Sequence, residues 1–412
     1  EAAVGAIPAT AVNEIAEACK AERYNIALLA ETAIPTGNIA TAVVTALTNE
    51  VARRNPQVAG FVHWGATSQD AIDSALMLQI RAGLDLLIGD LLGVCARCAE
   101  LAQLHRRTVM AGRTLLQQAL PITFGLKAAR WLALACRQAS ALRELRSGAL
   151  ALQFGGAAGT LAALGGNGMR VAELLAEELK LPLPDLAWHA ERDRVARFAT
   201  GLGVTAGAIA KIAGDIVLLA QTEVAEASEA GAPGRGGSSA MPHKRNPVDA
   251  TLALAAARLA IGEIPVVLAA MPQEHERAAG GWQTEWAAIP RLFRATAGAL
   301  ARVRSALEGL QIDAERMRAN LDLGGGLLMA EALMVALAPQ IGRPEAQRLI
   351  QSLASRVHPG VSFRQALLED AQVAALLSAD EIDRALDPAA YLGSADALID
   401  RALDSYRGML SQ

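Results

Sequence analysis

Residues 231–249, GAPGRGGSSAMPHKRNPVD, gather the side chains of this chain best suited to chemistry. Four glycines in the first seven of these positions disfavour helix and strand, because glycine loses the most freedom on ordering. Two adjacent hydroxyls follow, Ser238 and Ser239, and then Met241, Lys244 and Asn246. Asn246-Pro247 opens a long apolar run. Asparagine at an expected N-cap, proline at the first helical position and Asp249 at the third form a helix-start signal with a reciprocal cap. A flexible loop bearing a hydroxyl, an ammonium and an amide thus feeds a positive helix end, which favours a carboxylate or phosphate. Composition alone allows a plain Gly-rich surface loop equally well.

Other polar turns interrupt the apolar pattern. His63-Trp64-Gly65-Ala66-Thr67-Ser68-Gln69-Asp70 is compact, and Thr67-x-x-Asp70 has capping-box spacing before a long periodic stretch. The stretch 111–121 reads as a second loop and offers Thr114 and Gln117; 153–160 reads as a third. Glu274-His275-Glu276-Arg277 and Gly281–Trp286 make a further polar segment. The six histidines show no H-E-x-x-H or comparable ligand spacing, so no metal is expected. Cys95-x-x-Cys98 lies inside a helical pattern without a second pair, and these thiols read as buried small hydrophobes.

Helices must position these turns. Hydrophobic residues make up 52% of the 412 positions and aromatics only 3%, a mixture that favours helix over sheet. Leu76, Ile80, Leu84, Leu87, Leu91 and Val94 recur at three and four, predicting one helix from Ala71 to about His105. Further helices are expected to about Ser147, over 167–180, 196–229, 247–270 and 288–310. Shorter ones follow Asn320, broken by Gly324–Gly326, Pro344, Pro359 and Pro388. The expected fold is all-α: an elongated central bundle (68–318) between smaller N-terminal (1–67) and C-terminal (319–412) helical domains. Several helices are apolar or alanine-rich all round, which calls for a homo-oligomer packed helix to helix.

A net charge of −4 with interspersed signs gives no footprint for nucleic acid. No unbroken apolar stretch approaches 18 residues, so no membrane span is expected. Four cysteines make no disulfide framework, and the cytoplasm is the expected location. The chain begins at Glu1 without Met, inside a stretch that reads as helix, so an upstream segment is expected.

Gly237-Ser238-Ser239-Ala240-Met241-Pro242-His243-Lys244-Arg245-Asn246-Pro247 resembles the G-S-S-x-M-P-x-K-x-N signature of the fumarase/aspartase superfamily. The resemblance covers nearly the whole chain, since Thr67-Ser68-x-Asp70 and Gly112-Arg113-Thr114 fall in the family's order. His63–Asp70, Gln153–Thr160 and Gly281–Trp286 look most like its lactonising branch. The resemblance implies a mostly helical three-domain subunit, a homotetramer with each active site shared between subunits, and a small tricarboxylate as substrate. It implies no metal, nucleotide or flavin cofactor.

Family members add or remove H–X beside a carboxylate through a dianionic aci-carboxylate, which needs donors aimed at developing charge. The resemblance makes Ser238 the residue that moves the carbon-bound proton. By the same resemblance Lys244 would shift the pKa of that serine and meet the enolate charge. Asn246 would hold a carboxylate at the helix end. Thr67, Ser68, Thr114 and Gln117 would bind the remaining carboxylates beside His63, Ser239 and Met241, with Arg277 as a charged clamp. Structural roles also stand open: Thr67 and Ser68 as caps, Gln117 on loop backbone, Arg277 paired with Glu274, and His63 and His275 as structural histidines.

Leu115 departs from the family's G-x-T-H pattern, where the histidine handles protons on the leaving-group side. Leucine cannot do this. A carboxylate nucleophile, with a pKa near ~4, needs no such acid, so lactonisation tolerates the change. An amine-eliminating lyase such as adenylosuccinate lyase would need His63 or His275 instead. A non-catalytic helical scaffold would have no use for the Ser238/Lys244/Asn246 loop.

Overall fold

Sustained three-and-four spacing of apolar residues becomes helix throughout. The computed structural model describes residues 1–230, Gly237, Met241 and 244–411. It begins with α1 (Ala9–Ala18), α2 (Ile26–Ala33), α3 (Ile39–Arg54) and α4 (Ser68–Leu104). A hairpin of β1 (Val109–Thr114) and β2 (Gln117–Thr123) leads into α5 (Phe124–Gly148), α6 (Gly168–Leu179) and α7 (Asp193–Leu219). Strand β3 (Ala227–Glu229), α8 (Val248–Ala269), α9 (Gly281–Glu308), β4 (Leu310–Ile312) and α10 (Ala314–Leu321) follow. The chain closes with α11 (Ala330–Ile341), α12 (Arg343–Ala354), α13 (Phe363–Leu368), α14 (Ala371–Ala374), α15 (Ala379–Leu386) and α16 (Ala395–Leu410). The fold is all-α; its described strands form only two short antiparallel pairs.

Backbone packing sorts the chain into two compact units, each assembled from three segments. The first comprises Glu1–Leu87, Ala141–Gly203 and Ala260–Arg294; the second comprises Ile88–Ser140, Val204–Leu259 and Ala295–Gln412. In the first unit α4 buries Met77, Ile80 and Leu84, α7 buries Phe198 and Leu202, and α9 buries Ile289 and Leu292. A smaller core of Ile7, Ala11, Val51 and Val58 joins α1 to α3. In the second unit α4 continues with Leu91, Val94 and Leu101, α5 buries Phe124 and Trp131, and α7 buries Ile209 and Ile216. Cys95 and Cys98 are buried there as small apolar groups. Helices α11–α15 close around Leu333, Leu337, Leu353, Phe363 and Leu367. Ser378 and Glu381 form a capping box at α15, and Pro344 and Pro388 sit at helix starts.

Several elements differ from the sequence reading. The loop expected over 111–121 is a β-hairpin closed by Thr114 opposite Gln117, with Leu115 (φ 50°) and Leu116 (φ 63°) as a two-residue turn. Such turns want Asn-Gly, so a Leu-Leu turn carries no recognisable signal. Gly112 sits at the bulge, where a Cβ would come 2.8 Å from the Leu120 carbonyl oxygen. Helix α7 ends at Leu219 rather than 229, because the chain turns through Ala225 (φ 49°) to pair β3 with β4. Helix α9 starts at Gly281, so the polar segment 281–286 forms its first turns.

Left-handed geometry costs a non-glycine residue about 1–2 kcal/mol. Replacing Leu115-Leu116 by Asn-Gly is therefore expected to stabilise the protein by about 1–2 kcal/mol. The urea midpoint reads this directly, and a fall in it would contradict the account.

By length and composition alone α7 and α8 are apolar enough to cross a membrane, a test that the core helices of other folds also pass. Scattered charges break each apolar run while its mean hydropathy stays high. In α7, 56% of the apolar window is buried, against 22% in α8. Helix α8 leaves Leu252, Leu259 and Val266 exposed at seven-residue spacing.

Candidate active site

The first unit carries His63, Thr67, Ser68 and Arg277. The turn into α4 uses left-handed backbone at His63 (φ 60°) and Gly65 (φ 70°). A Cβ on Gly65 would collide with the Leu164 side chain at 2.7 Å, so only glycine lets this turn pack. The Thr67 amide donates to Asp70 Oδ2 at 2.9 Å, one half of the expected capping box. The Thr67 hydroxyl accepts a hydrogen bond from Arg277 Nη1. Arg277 therefore reaches Thr67 rather than Glu274, whose carboxylate takes the Ala279 amide at 3.1 Å. Ser68, half-buried, is the first residue of α4. His275 is exposed, with φ 49°.

His63 lines a largely apolar cavity of about 830 Å³ with Trp64, Asp70, Ser74 and Phe154. Burial pushes its imidazole below the usual histidine range, and the charge of Asp70 pulls the other way. The unfolded chain thus binds this proton more readily, and stability falls as pH drops below about 6.5. Because His63 is half exposed, the slope is well under about 1.4 kcal/mol per pH unit. His63→Gln should flatten that part of a stability–pH curve; an unchanged slope would assign it elsewhere.

Beneath this turn lies a buried polar network that sequence reasoning missed. Asp70 accepts bonds from the Gly155 and Gly156 amides at 3.0 and 2.9 Å and from His189 Nε2 at 2.7 Å. Arg192, fully buried, meets Asp73 at 2.7 and 3.1 Å and Glu285 at 2.9 and 2.5 Å. Trp282 Nε1 and Gln69 Nε2 donate to Asp73 at 3.0 and 3.1 Å, and Gln153 Nε2 at 3.3 Å. Burial raises the Glu285 carboxyl, while Arg192 opposes the rise.

The second unit carries the hairpin and the described residues of the signature segment. Thr114 and Gln117 face outward at the hairpin tip, and it is Gln118, not Gln117, that bonds backbone, at Asn320 O (2.7 Å). Arg113 points inward and makes a two-pronged pair with buried Glu226 at 2.7 and 2.8 Å. Asn320 Nδ2 donates to the same carboxylate at 2.8 Å. Gly237 bridges to Arg245, and the Lys244 amide donates to Met241 O at 3.1 Å. Lys244 and Asn246 line a cavity of about 1070 Å³ with Ser228, Glu229, Asp313 and Glu315. Ser238 and Ser239 lie outside the described residues.

The start of α8 differs from the sequence reading. The Pro247 carbonyl accepts from the Thr251 amide, so Pro247 is the N-cap and the helix begins one residue later than expected. Glu229 from β3 takes the Asp249 and Ala250 amides at 3.0 and 2.8 Å, and Asp249 pairs with Arg302 at 3.0 Å. The positive helix end thus already holds a carboxylate from the chain itself.

Known proteins match this chain along its length. The family described as "Lyase" matches residues 1–262, and that described as "Adenylosuccinate lyase C-terminus" matches 326–402. The 3-carboxy-cis,cis-muconate cycloisomerase of Bradyrhizobium diazoefficiens is 52% identical over 406 residues, 98% of this chain and 90% of that protein. That of Pseudomonas aeruginosa is 49% identical over 410 residues, 99% of this chain and 89% of that protein. The crystal structure of the 3-carboxy-cis,cis-muconate lactonizing enzyme from Pseudomonas putida shares 44% identity and a TM-score of 0.94, covering 99% of this chain and 91% of that one. The chain belongs to the lyase family.

Within this lyase the resemblance read from the signature loop holds over both units. Among the candidate residues, Thr67 and Arg277 are joined directly, while Lys244 and Asn246 share one cavity wall. Leu115 stands 97% exposed at the hairpin tip. Its exposure leaves the position free to differ without disturbing the core.

Proposed function

We propose that this lyase lactonises 3-carboxy-cis,cis-muconate, the substrate in the names of its relatives, in protocatechuate and related aromatic catabolism. The observation that carries the reading is the 52% identity to a cycloisomerase over 98% of the chain. Leu115 supports it, since an internal carboxylate nucleophile needs no leaving-group acid. A substrate carboxylate oxygen bonds to the alkene carbon, and the π electrons move onto the neighbouring carboxylate as an aci-carboxylate. Lys244 meets that charge, with Thr67, Ser68, Arg277, Thr114 and Gln117 on the other carboxylates. Because Glu229 occupies the α8 amides, Asn246 serves through its side-chain amide rather than through the helix end. Ser238 then gives its proton to the α carbon and is reprotonated from solvent, so the trianion becomes a dianionic lactone. The reacting groups are tethered, and the enzyme supplies orientation and charge stabilisation.

We further propose that copies of the chain assemble as a cytoplasmic homotetramer over the exposed heptad stripe of α8, sharing active sites. The division into 1–67, 68–318 and 319–412 belongs to the same reading. Purified protein should bleach the diene absorbance of 3-carboxy-cis,cis-muconate and leave adenylosuccinate untouched, in the presence of EDTA. Turnover of adenylosuccinate alone would replace this assignment with that of an amine-eliminating lyase.

A further inference from the structure

Asp70 does more than cap a helix. Capping needs one bond, and the Thr67 amide supplies it. The same carboxylate, 3% exposed, also takes the Gly155 and Gly156 amides and His189 Nε2. These partners lie 85, 86 and 119 residues away in sequence. Four donors on two oxygens therefore bind the first turn of α4, the loop at 153–160 and the segment at 188–192 to one point. Four bonds of 2.7 to 3.0 Å on one side chain fix the Thr67 backbone and, through it, the hydroxyl that faces Arg277. An asparagine in this place would turn its NH₂ group toward at least one backbone amide, which can only donate.

We propose that Asp70 is a positioning residue, holding the Thr67–Arg277 pair in the geometry that receives a substrate carboxylate. This rests on the reading of Thr67 and Arg277 given above. That carboxylate gains no charge in the reaction, so the pair contributes equally to ground state and transition state. Its loss raises KM and spares kcat.

The test is a double-mutant cycle on the full-length enzyme, with Thr67→Ala, Asp70→Asn and both together. Muconate turnover and the binding of citrate, as a tricarboxylate probe, are read side by side. Each single variant is expected to raise KM and the citrate Kd by about tenfold, with kcat within about threefold of wild type. The double variant should be no worse than the poorer single one, because both changes remove one interaction. Additive losses, or an Asp70→Asn enzyme with wild-type KM and Kd beside an impaired Thr67→Ala enzyme, overturn the positioning role alone. A Thr67→Ala enzyme with unchanged KM and Kd overturns the carboxylate-site reading and the positioning role with it. Should Asp70→Asn fail to fold, His189→Ala removes only one of the four donors; a KM raised by about threefold supports the role, and an unchanged KM refutes it.

Discussion

Ser238→Ala is expected to lower kcat by about a thousandfold while KM stays within about threefold, since a positioned proton donor contributes about 10²–10⁴ to rate. The loss falls on kcat because, in the proposed mechanism, the hydroxyl is used when the α carbon takes its proton and not when the tricarboxylate binds. A residual rate survives from orientation and from Lys244. Decay of the diene absorbance measures both constants, and circular dichroism with gel filtration shows that the variant keeps its fold and assembly. A variant with wild-type kcat would remove Ser238 from the proton step and leave the intact signature without its central role.

The largest effect on stability is expected at Arg192. Its guanidinium is fully buried between Asp73 and Glu285, which are themselves buried. Arg192→Met leaves two carboxylates facing each other without a counter-charge, which costs about 3–5 kcal/mol. Burial already raises the Glu285 carboxyl against the pull of Arg192, and without Arg192 that carboxyl must rise further. A folded-state pKa above the unfolded one means that the folded variant holds protons the unfolded chain has released. The deficit therefore grows as pH rises above about 4 and shrinks as pH falls toward it. Urea midpoints at pH 7 and pH 5 should show the gap from wild type narrowing at the lower pH. A gap independent of pH would mean lost packing rather than stranded charge.

Much of the helical frame was legible because its cause is local. The apolar residues of α4 repeat at three and four, and the structure starts and stops that helix within a few residues of the expected ends. The signature segment was legible as a pattern of residue types. The hairpin was not, because Leu115 and Leu116 are held left-handed by strand pairing against their own preference. Helix α7 stops at Leu219 for a similar reason, since β3 finds its partner in β4 some 80 residues later. The network under Thr67 was also out of reach: Asp70, Asp73, Gln153, His189, Arg192 and Glu285 carry no common spacing. Gln153 drew notice only as part of a polar loop, and Glu229 drew none. Their relation exists only once helices far apart in the chain are side by side.

The turn at Leu115 bears on how such enzymes change their chemistry. Its backbone conformation is imposed by the pairing of Thr114 with Gln117 and not by the side chain it carries. Histidine tolerates left-handed geometry better than leucine does. One substitution at this site could therefore exchange an inert side chain for a proton donor without altering strand register or core.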